Sequence, residues 1–584
     1  MEPHPAQGDV DWRSSYSDPH RSIPDYLQPF IVEQDPSRYT AIDQAVWRFV
    51  LLQLHHRLEH TAHPSYARGL AGSGISSERI PSIVEMNDAL GKFGWQAVCV
   101  DGFIPPRAFQ AFQALGVLPI AAEIRTLEQL PYTPAPDIIH EAAGHAPILI
   151  DPRYAGYVRA VGEVGARAFA SPADARVDRA VRLLSDLKQS TGNAPTDVRA
   201  AELELERAAS ALGPPSEAAR LARLYWWTAE YGLVGALEDY RLYGAGLLSS
   251  LGESHFCHGP GVAKLPLSAA CTSVSYDITK PQPQLFVARD FDHLHTVLAE
   301  VSQTLAYDVG GDDAVQAALR SEELCTVHLP AGCQVIGTLR GADGAGGAEL
   351  LSFQPGSALA RRGRLLGRVP HTFWVPLGRL VDGPAEGLSA LDSLGRRHDG
   401  RVTFHYASGV CVSGVVCDGP HELPEAALWL RTFRLEWRDR PPIELPGPYP
   451  LLIAERVVTA GAGSACPDVS PLGDTQAATG PRARVPKLRA MTPATARLND
   501  LYALTSRGRE RGSWEDLAAV HTELAVSFPH EWLLRWRLLE CLIDLGSGDS
   551  DVARELSRRL QELELYYGGK HPIAMGLDYL KARS

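Results

Sequence analysis

The chain has 584 residues, 45% hydrophobic and 21% charged, the balance of a folded protein of about three or four domains. Its 69 acidic residues outnumber 56 basic ones for a net charge of −13, which disfavours a broad nucleic-acid surface. No apolar run approaches the ~18 residues a membrane span needs, the polar, Pro-broken N-terminus lacks a signal-peptide core, and nine scattered Cys without a C-x-x-C pair fit a cytoplasmic protein with reduced thiols.

Residues 1–35 are polar and Pro-bearing, an N-terminal extension too short to be a domain. From Tyr39 onward, Ala45, Trp47, Val50 and Leu51 take up helical spacing. They open a mainly α-helical region expected over 36–310. Between 320 and 456 the pattern changes to short alternating runs, such as Val402-Thr-Phe404-His-Tyr406 and Phe433-Arg-Leu435-Glu-Trp437. Those are half-buried strands of a small β-rich domain. Residues 459–489, rich in Gly, Ala, Pro and Ser, read as a linker. Helix returns over 490–584, where Ser513-Trp-Glu-Asp516 resembles a capping box and Leu517, Val520 and Leu524 share a face. Leu533, Leu534, Leu538, Leu542, Leu556, Leu560 and Leu563 continue such stripes. Helices packed against one another explain the stripes. A module that binds a protein partner is the alternative, although no fixed repeat period supports it.

Chemistry concentrates in Pro136-Asp-Ile-Ile-His140-Glu141-Ala-Ala-Gly144-His145-Ala-Pro147 and in Tyr225-Trp-Trp-Thr-Ala-Glu230. Two imidazoles and one carboxylate on one face of a metal, with the opposite face open, is the arrangement of non-haem Fe(II) oxygenases. The zinc-protease reading needs His residues four apart on one helical face. Here they are five apart, about 140° round a continuous α-helix. A helix that ends between them is therefore expected, with Asp137 as its N-terminal cap, Gly144 at its C-terminus and Pro147 preventing continuation. On spacing alone a chance pair among 20 His stays open as well.

These residues resemble the pterin-dependent aromatic amino acid hydroxylases, whose metal motif reads Pro-Asp-x-x-His-Glu-x-x-Gly-His-x-Pro. Arg125-Thr126 and Tyr132-Thr133-Pro134 precede it, and Tyr243-Gly-Ala-Gly-Leu-Leu-Ser249-Ser250-Leu-Gly-Glu253 follows it. Gln282-Pro-Gln-Leu-Phe-Val-Ala is similar to the family's last catalytic strand, so the likeness runs from about Tyr39 to Tyr307. The resemblance implies a mainly α catalytic domain of the aromatic amino acid hydroxylase type, followed here by the β-rich domain and the C-terminal α-helical segment. It implies Fe(II) on His140, His145 and Glu230, and a tetrahydropterin against Phe109, Glu141, Ile104, Ala222 and Tyr225. It also implies an aromatic amino acid held by Arg125, Thr133, Trp226, Ser249 and Ile278. Pterin, Fe(II) and O2 would together hydroxylate the ring, most simply L-phenylalanine to L-tyrosine.

Two departures stand out. Pro105-Pro106 replaces hydroxyl residues of animal members and Pro119 replaces a His, so pterin contacts there are expected from the backbone. The resemblance leaves two alternatives: a hydroxylase of another aromatic substrate in specialised metabolism, and a non-catalytic iron-binding scaffold. Because every matched residue precedes 310, the C-terminal half is expected to be dispensable for the chemistry.

Overall fold

The fold was analysed in a computed structural model, which describes residues 23–583 apart from 103, 131–135, 190–193, 279, 345–346, 382–399, 419–426, 439, 471–490 and 569–571. Helix α1 (Ala41–Leu58) is set by a reciprocal cap. The Thr40 hydroxyl accepts the Asp43 N–H at 3.1 Å while the Asp43 carboxylate accepts the Thr40 N–H at 2.8 Å. Helices α2 (Ser65–Gly72) and α3 (Ile83–Gly91) lead to strand β1 (Gln96–Val100), helix α4 (Pro106–Ala114) and strand β2 (Val117–Ala121). The two strands pair in parallel, joined by α4 as crossover.

The short π-helix Ile139–His145 follows, then α5 (Pro152–Gly165), α6 (Pro172–Gln189), α7 (Pro195–Ser210) and α8 (Glu217–Tyr225). A second π-helical turn, Trp226–Glu230, continues α8 directly. Strands β3 (Leu233–Gly235) and β4 (Tyr240–Leu242), helices α9 (Ala245–Ser249) and α10 (Leu251–Phe256), and strands β5 (Ala263–Pro266) and β6 (Gln284–Ala288) come next. They build a four-stranded sheet of order β4-β3-β6-β5. Helices α11 (Phe291–Ser302), α12 (Ala306–Val309) and α13 (Gly311–Ser321) close this part.

The region where alternating runs were expected holds two sheets. Strands β7 (Leu324–His328), β8 (Cys333–Asp343), β9 (Leu350–Phe353), β10 (Ser357–Arg361), β11 (Arg364–Val369) and β12 (Phe373–Pro376) belong to its first sheet. Strands β13 (Arg401–His405), β14 (Val410–Val416), β15 (Ala427–Trp437) and β16 (Ile443–Leu452) form an antiparallel meander. Val402, Phe404, Phe433, Leu435 and Trp437 all point into one core. The linker expected over 459–489 is contradicted at its start, and its part from 471 lies outside the described residues. Thr459–Ala462 forms strand β17 and pairs antiparallel with β7, so these residues complete the first sheet. Their small side chains imitate linker composition, and only the pairing partner distinguishes the two.

Two further expectations are corrected. The polar extension proposed for 1–35 is structured from residue 23: Leu27 and Phe30 are buried against Val98, Ala108 and Phe112, and the Val32 N–H donates to the Cys99 carbonyl at 2.9 Å. The C-terminal helices α14 (Pro493–Arg511), α15 (Trp514–Ser527), α16 (Leu533–Asp544), α17 (Asp551–Tyr566) and α18 (Pro572–Arg583) are no detached segment. Their Leu stripes are buried and share one core with α1. Phe49 lies edge-on to Trp532 at 5.1 Å and to Trp536 at 4.8 Å. Arg48 donates through Nε and Nη2 to the Glu540 carboxylate at 3.1 and 2.8 Å. Asn499 accepts the Ala41 N–H at 2.8 Å, capping α1 from across the chain. Among the described residues, no helix is long and apolar enough to cross a membrane.

Candidate metal and pterin site

His140 and His145 do not lie on either side of a helix end. Both belong to the π-helix Ile139–His145, which the Ala146 N–H closes on the Glu141 carbonyl five residues back. A turn closed by i→i+5 bonds brings residues five apart back toward the same side. The rings consequently meet, centroids 5.0 Å apart and nearly perpendicular. The expected chain break fails because 3.6-residue periodicity was assumed where the helix is locally wider. Gly144 remains inside the helix; its role is close approach, since a Cβ would come within 2.7 Å of the Ala245 carbonyl oxygen. The cap survives in part: Asp137 Oδ1 accepts the His140 N–H at 3.0 Å.

The carboxylate arrives on a turn of the same kind, where the Tyr231 N–H donates to the Trp226 carbonyl at 2.9 Å. Glu230 Oε2 lies 3.2 Å from His140 Nε2, and Oε1 lies 3.2 Å from His145 Nε2. A Cβ on Gly244 would fall 2.4 Å from the Glu230 carbonyl oxygen, so glycine there lets the two segments close. Burial would raise the Glu230 carboxyl, but the His145 and His140 rings beside it hold it well below the ordinary range. Ser249 fixes the other side of His140: its Oγ donates to the Ala245 carbonyl at 2.7 Å and lies 3.0 Å from His140 Nδ1. With Oγ so engaged, Nδ1 carries the proton toward it and Nε2 is left as the donor atom.

A second carboxylate competes. Ligand atoms of His140, Glu141 and His145 also fall within 4.8 Å of one another. Glu141, however, is buried, and burial pushes its carboxyl up to about 8, while Oε2 has no hydrogen-bond partner. A neutral acid is a poor metal donor, whereas an orphaned buried oxygen is what a polar ligand satisfies. Two imidazole nitrogens and one ionised carboxylate, both Nε2 atoms facing its oxygens, fit a divalent iron with an open face.

Of the expected pterin residues, the structure brings Phe109 and Tyr225 together. Phe109 on α4 meets Tyr225 on α8 edge-on at 5.9 Å. The Tyr225 ring stacks toward His145 at 6.3 Å, and its hydroxyl accepts from Gln113 Nε2 at 2.6 Å. Ile104 is half-buried just before α4, and Ala222 is exposed on α8. On the substrate side, Trp226 is stacked face-to-face on Tyr276 at 4.2 Å and tilted on Tyr231 at 4.7 Å. Ile278 is 42% exposed on the loop that follows Tyr276. Thr133 lies outside the described residues.

Arg125 sits differently from a free carboxylate clamp. Its Nε and Nη2 fork the Asp137 carboxylate at 2.8 and 2.7 Å, and Nη1 donates to the Ser249 carbonyl at 3.1 Å. Burial alone would raise Asp137, yet Arg125 and the N–H groups of Arg125 and His140 keep its carboxyl below the ordinary value. A guanidinium has five N–H donors, so those left over are all that Arg125 offers a substrate. Sequence reasoning missed Gln282. It is buried, accepts from Trp226 Nε1 at 3.3 Å and donates to the Asp277 and Lys280 carbonyls at 2.9 and 2.8 Å. It thereby ties the aromatic wall to the Ile278 loop. Nothing in Pro281-Gln-Pro283 marks such a role except position within the matched stretch.

The family model described as biopterin-dependent aromatic amino acid hydroxylase matches residues 4–181 and 196–310. Phenylalanine-4-hydroxylase of Ralstonia nicotianae is 32% identical over 230 residues, which cover 39% of this chain and 59% of the relative. The Chromobacterium violaceum phenylalanine-4-hydroxylase is 29% identical over 300 residues, 49% of this chain and 86% of the relative. A crystal structure of the latter with iron and phenylalanine bound aligns at 26% identity and TM-score 0.37, covering 51% of this chain and 93% of that one. With half of its residues matched by the family model, the chain belongs to the biopterin-dependent aromatic amino acid hydroxylases.

Proposed function

We propose that the protein hydroxylates the ring of L-phenylalanine to give L-tyrosine, using Fe(II), a tetrahydropterin and O2. The convergence of His140 and His145 Nε2 on the two Glu230 oxygens, each at 3.2 Å, carries the reading. His140, His145 and Glu230 hold the iron; Phe109, Ile104, Glu141, Ala222 and Tyr225 form the pterin wall. Bound there, iron and pterin supply the activation of O2. The protein's own share is alignment: Ser249 and Asp137 fix His140, the histidines keep Glu230 ionised, and neutral Glu141 offers a proton to a bound polar group. The named activity of the relatives, phenylalanine-4-hydroxylase, supports the choice of substrate. Incubation with Fe(II), tetrahydropterin and each aromatic amino acid, followed by mass spectrometry, tests it. Tyrosine from phenylalanine, one oxygen heavier, is expected; an iron-loaded protein that converts no aromatic amino acid would overturn the reading.

Two expected results refine the site. Phe109→Ala should raise the pterin KM about twofold to tenfold, since aromatic stacking is worth about 0.5–1.5 kcal/mol beyond burial, and leave the phenylalanine KM within about twofold. Steady-state titration of each substrate separates the two. Gln282→Leu removes the acceptor of Trp226 and the donors to the 277–280 loop. It should lower the kcat/KM ratio of phenylalanine over tryptophan about tenfold, the equivalent of one buried polar pairing lost, with iron content unchanged. An unaltered ratio would remove Gln282 from substrate selection.

A further inference from the structure

Nothing in the catalytic chemistry calls for the β-rich region, yet it touches the site's pterin side at several points. Arg107 stands two residues before Phe109 on α4. Its Nη2 donates to the Glu323 carboxylate at 2.7 Å and its Nη1 to the Ala166 carbonyl at 2.9 Å. Glu323 immediately precedes β7, the strand through which the first sheet begins, and both side chains are largely shielded, at 14% and 23% exposure. The Glu323 carboxylate also receives the Ala170 N–H.

The neighbouring segment 166–170 is gripped from the same sheet. The Ala462 N–H of β17 donates to the Arg167 carbonyl at 2.9 Å, and the Arg167 guanidinium lies 4.5 Å over the Tyr307 ring. Gly461 packs so closely on Tyr307 that a Cβ would sit 2.7 Å from the ring. From this segment the grip passes to α8. Glu217, in the first turn of α8, accepts the Phe169 N–H at 3.0 Å and the Ala306 N–H at 2.6 Å. Tyr225 at the far end of α8 is in turn bonded to Gln113 of α4. Helices α4 and α8 thus reach one sheet by two separate routes.

We propose that the β-rich region braces the pterin wall, and that Glu323 is its positioning residue, setting Phe109 through Arg107. The brace rests on the assignment of α4 and α8 to the pterin. Stacking depends on ring position to fractions of an ångström, so a slackened α4 weakens pterin binding before it disturbs the iron, whose ligands lie on other turns.

Calorimetric titration of the full-length iron-loaded chain with 7,8-dihydrobiopterin tests the proposal, alongside KM values for tetrahydropterin and phenylalanine. Glu323→Ala should raise the pterin Kd and KM about tenfold, the effect of losing one charge-assisted hydrogen bond. Iron content and phenylalanine KM should stay within about twofold. Glu323→Gln, which keeps an acceptor for Arg107, should shift the same constants less and covers the case in which the alanine variant does not fold. The exchange Arg107→Glu with Glu323→Arg should recover much of what either single change loses. Arg434→Ala, in the same region but paired with Glu436 and Glu444 on its surface, should behave as wild type. If pterin and phenylalanine constants move together, or neither moves, the brace is wrong. If Phe109→Ala itself leaves the pterin Kd unchanged, the wall assignment falls first and the brace with it.

Discussion

His145→Ala is expected to purify without iron and without hydroxylase turnover. Alanine removes one of the two nitrogen donors outright, leaving His140 as the sole imidazole beside Glu230 among the described residues. Removing a group that merely orients a ligand typically costs about 10–100-fold in metal affinity. Ser249→Ala, which deletes only the partner of His140 Nδ1, should fall in that range, and loss of a ligand should exceed it. The competing carboxylates give the sharper comparison. Glu230→Gln should lose iron because a neutral amide replaces the one ionised donor. Glu141→Gln should retain it, because that carboxyl, raised to about 8 by burial, is already neutral near pH 7. Iron analysis on the four variants, with circular dichroism to show that each remains folded, decides the matter. Stoichiometric iron in Glu230→Gln together with loss in Glu141→Gln would move the anionic ligand to Glu141.

The proposed ligands could be picked out in the sequence because their residue types and order match the family's motif. Their geometry could not. A spacing of five contradicts an α-helical face, and nothing in Ile139-His-Glu-Ala-Ala-Gly-His145 announces that the turn widens to accommodate it. Arg125 reads in the sequence as the clamp on the substrate's carboxylate, whereas in the fold its fork holds Asp137, twelve residues away. Ser249 was assigned to the substrate, whereas its hydroxyl is engaged by His140 and Ala245. Strands β13 to β15 were legible because one face is wet and alternation survives. Strand β17 was not, because Thr-Ala-Gly-Ala carries no alternation, and its register comes wholly from β7. Pairings that span hundreds of residues, such as Arg48 with Glu540, leave no local trace at either end.

That last pairing reverses one expectation: a fragment ending near residue 310 should aggregate or lose most of its iron, although it contains every matched site residue. Helix α1 is buried on the side facing α14, α16 and α18. Cutting them away exposes Phe49, Val46 and Val50, and a single buried aromatic or aliphatic side chain contributes about 1.5–3 kcal/mol. It also strips the Asn499 cap from the first turn of α1, worth about 1 kcal/mol. Several such losses rival the ~5–15 kcal/mol by which a folded protein is stable at all, and the bared stripe is an apolar patch that favours association. The damage has a route to the metal. Helix α1 shares its core with α9 and α10, whose Leu247, Leu248 and Leu251 are buried beside it, and α9 ends in Ser249, which orients His140. A gentler variant separates packing from truncation. Trp536→Ala in the full chain removes the ring that meets Phe49 and leaves the Gly576 carbonyl without its Nε1 donor. It should cost about 3–5 kcal/mol and lower the melting temperature while iron at 4 °C stays near one per chain. A 1–310 fragment that is monodisperse, fully iron-loaded and active would show instead that the C-terminal helices are packed on α1 without supporting it.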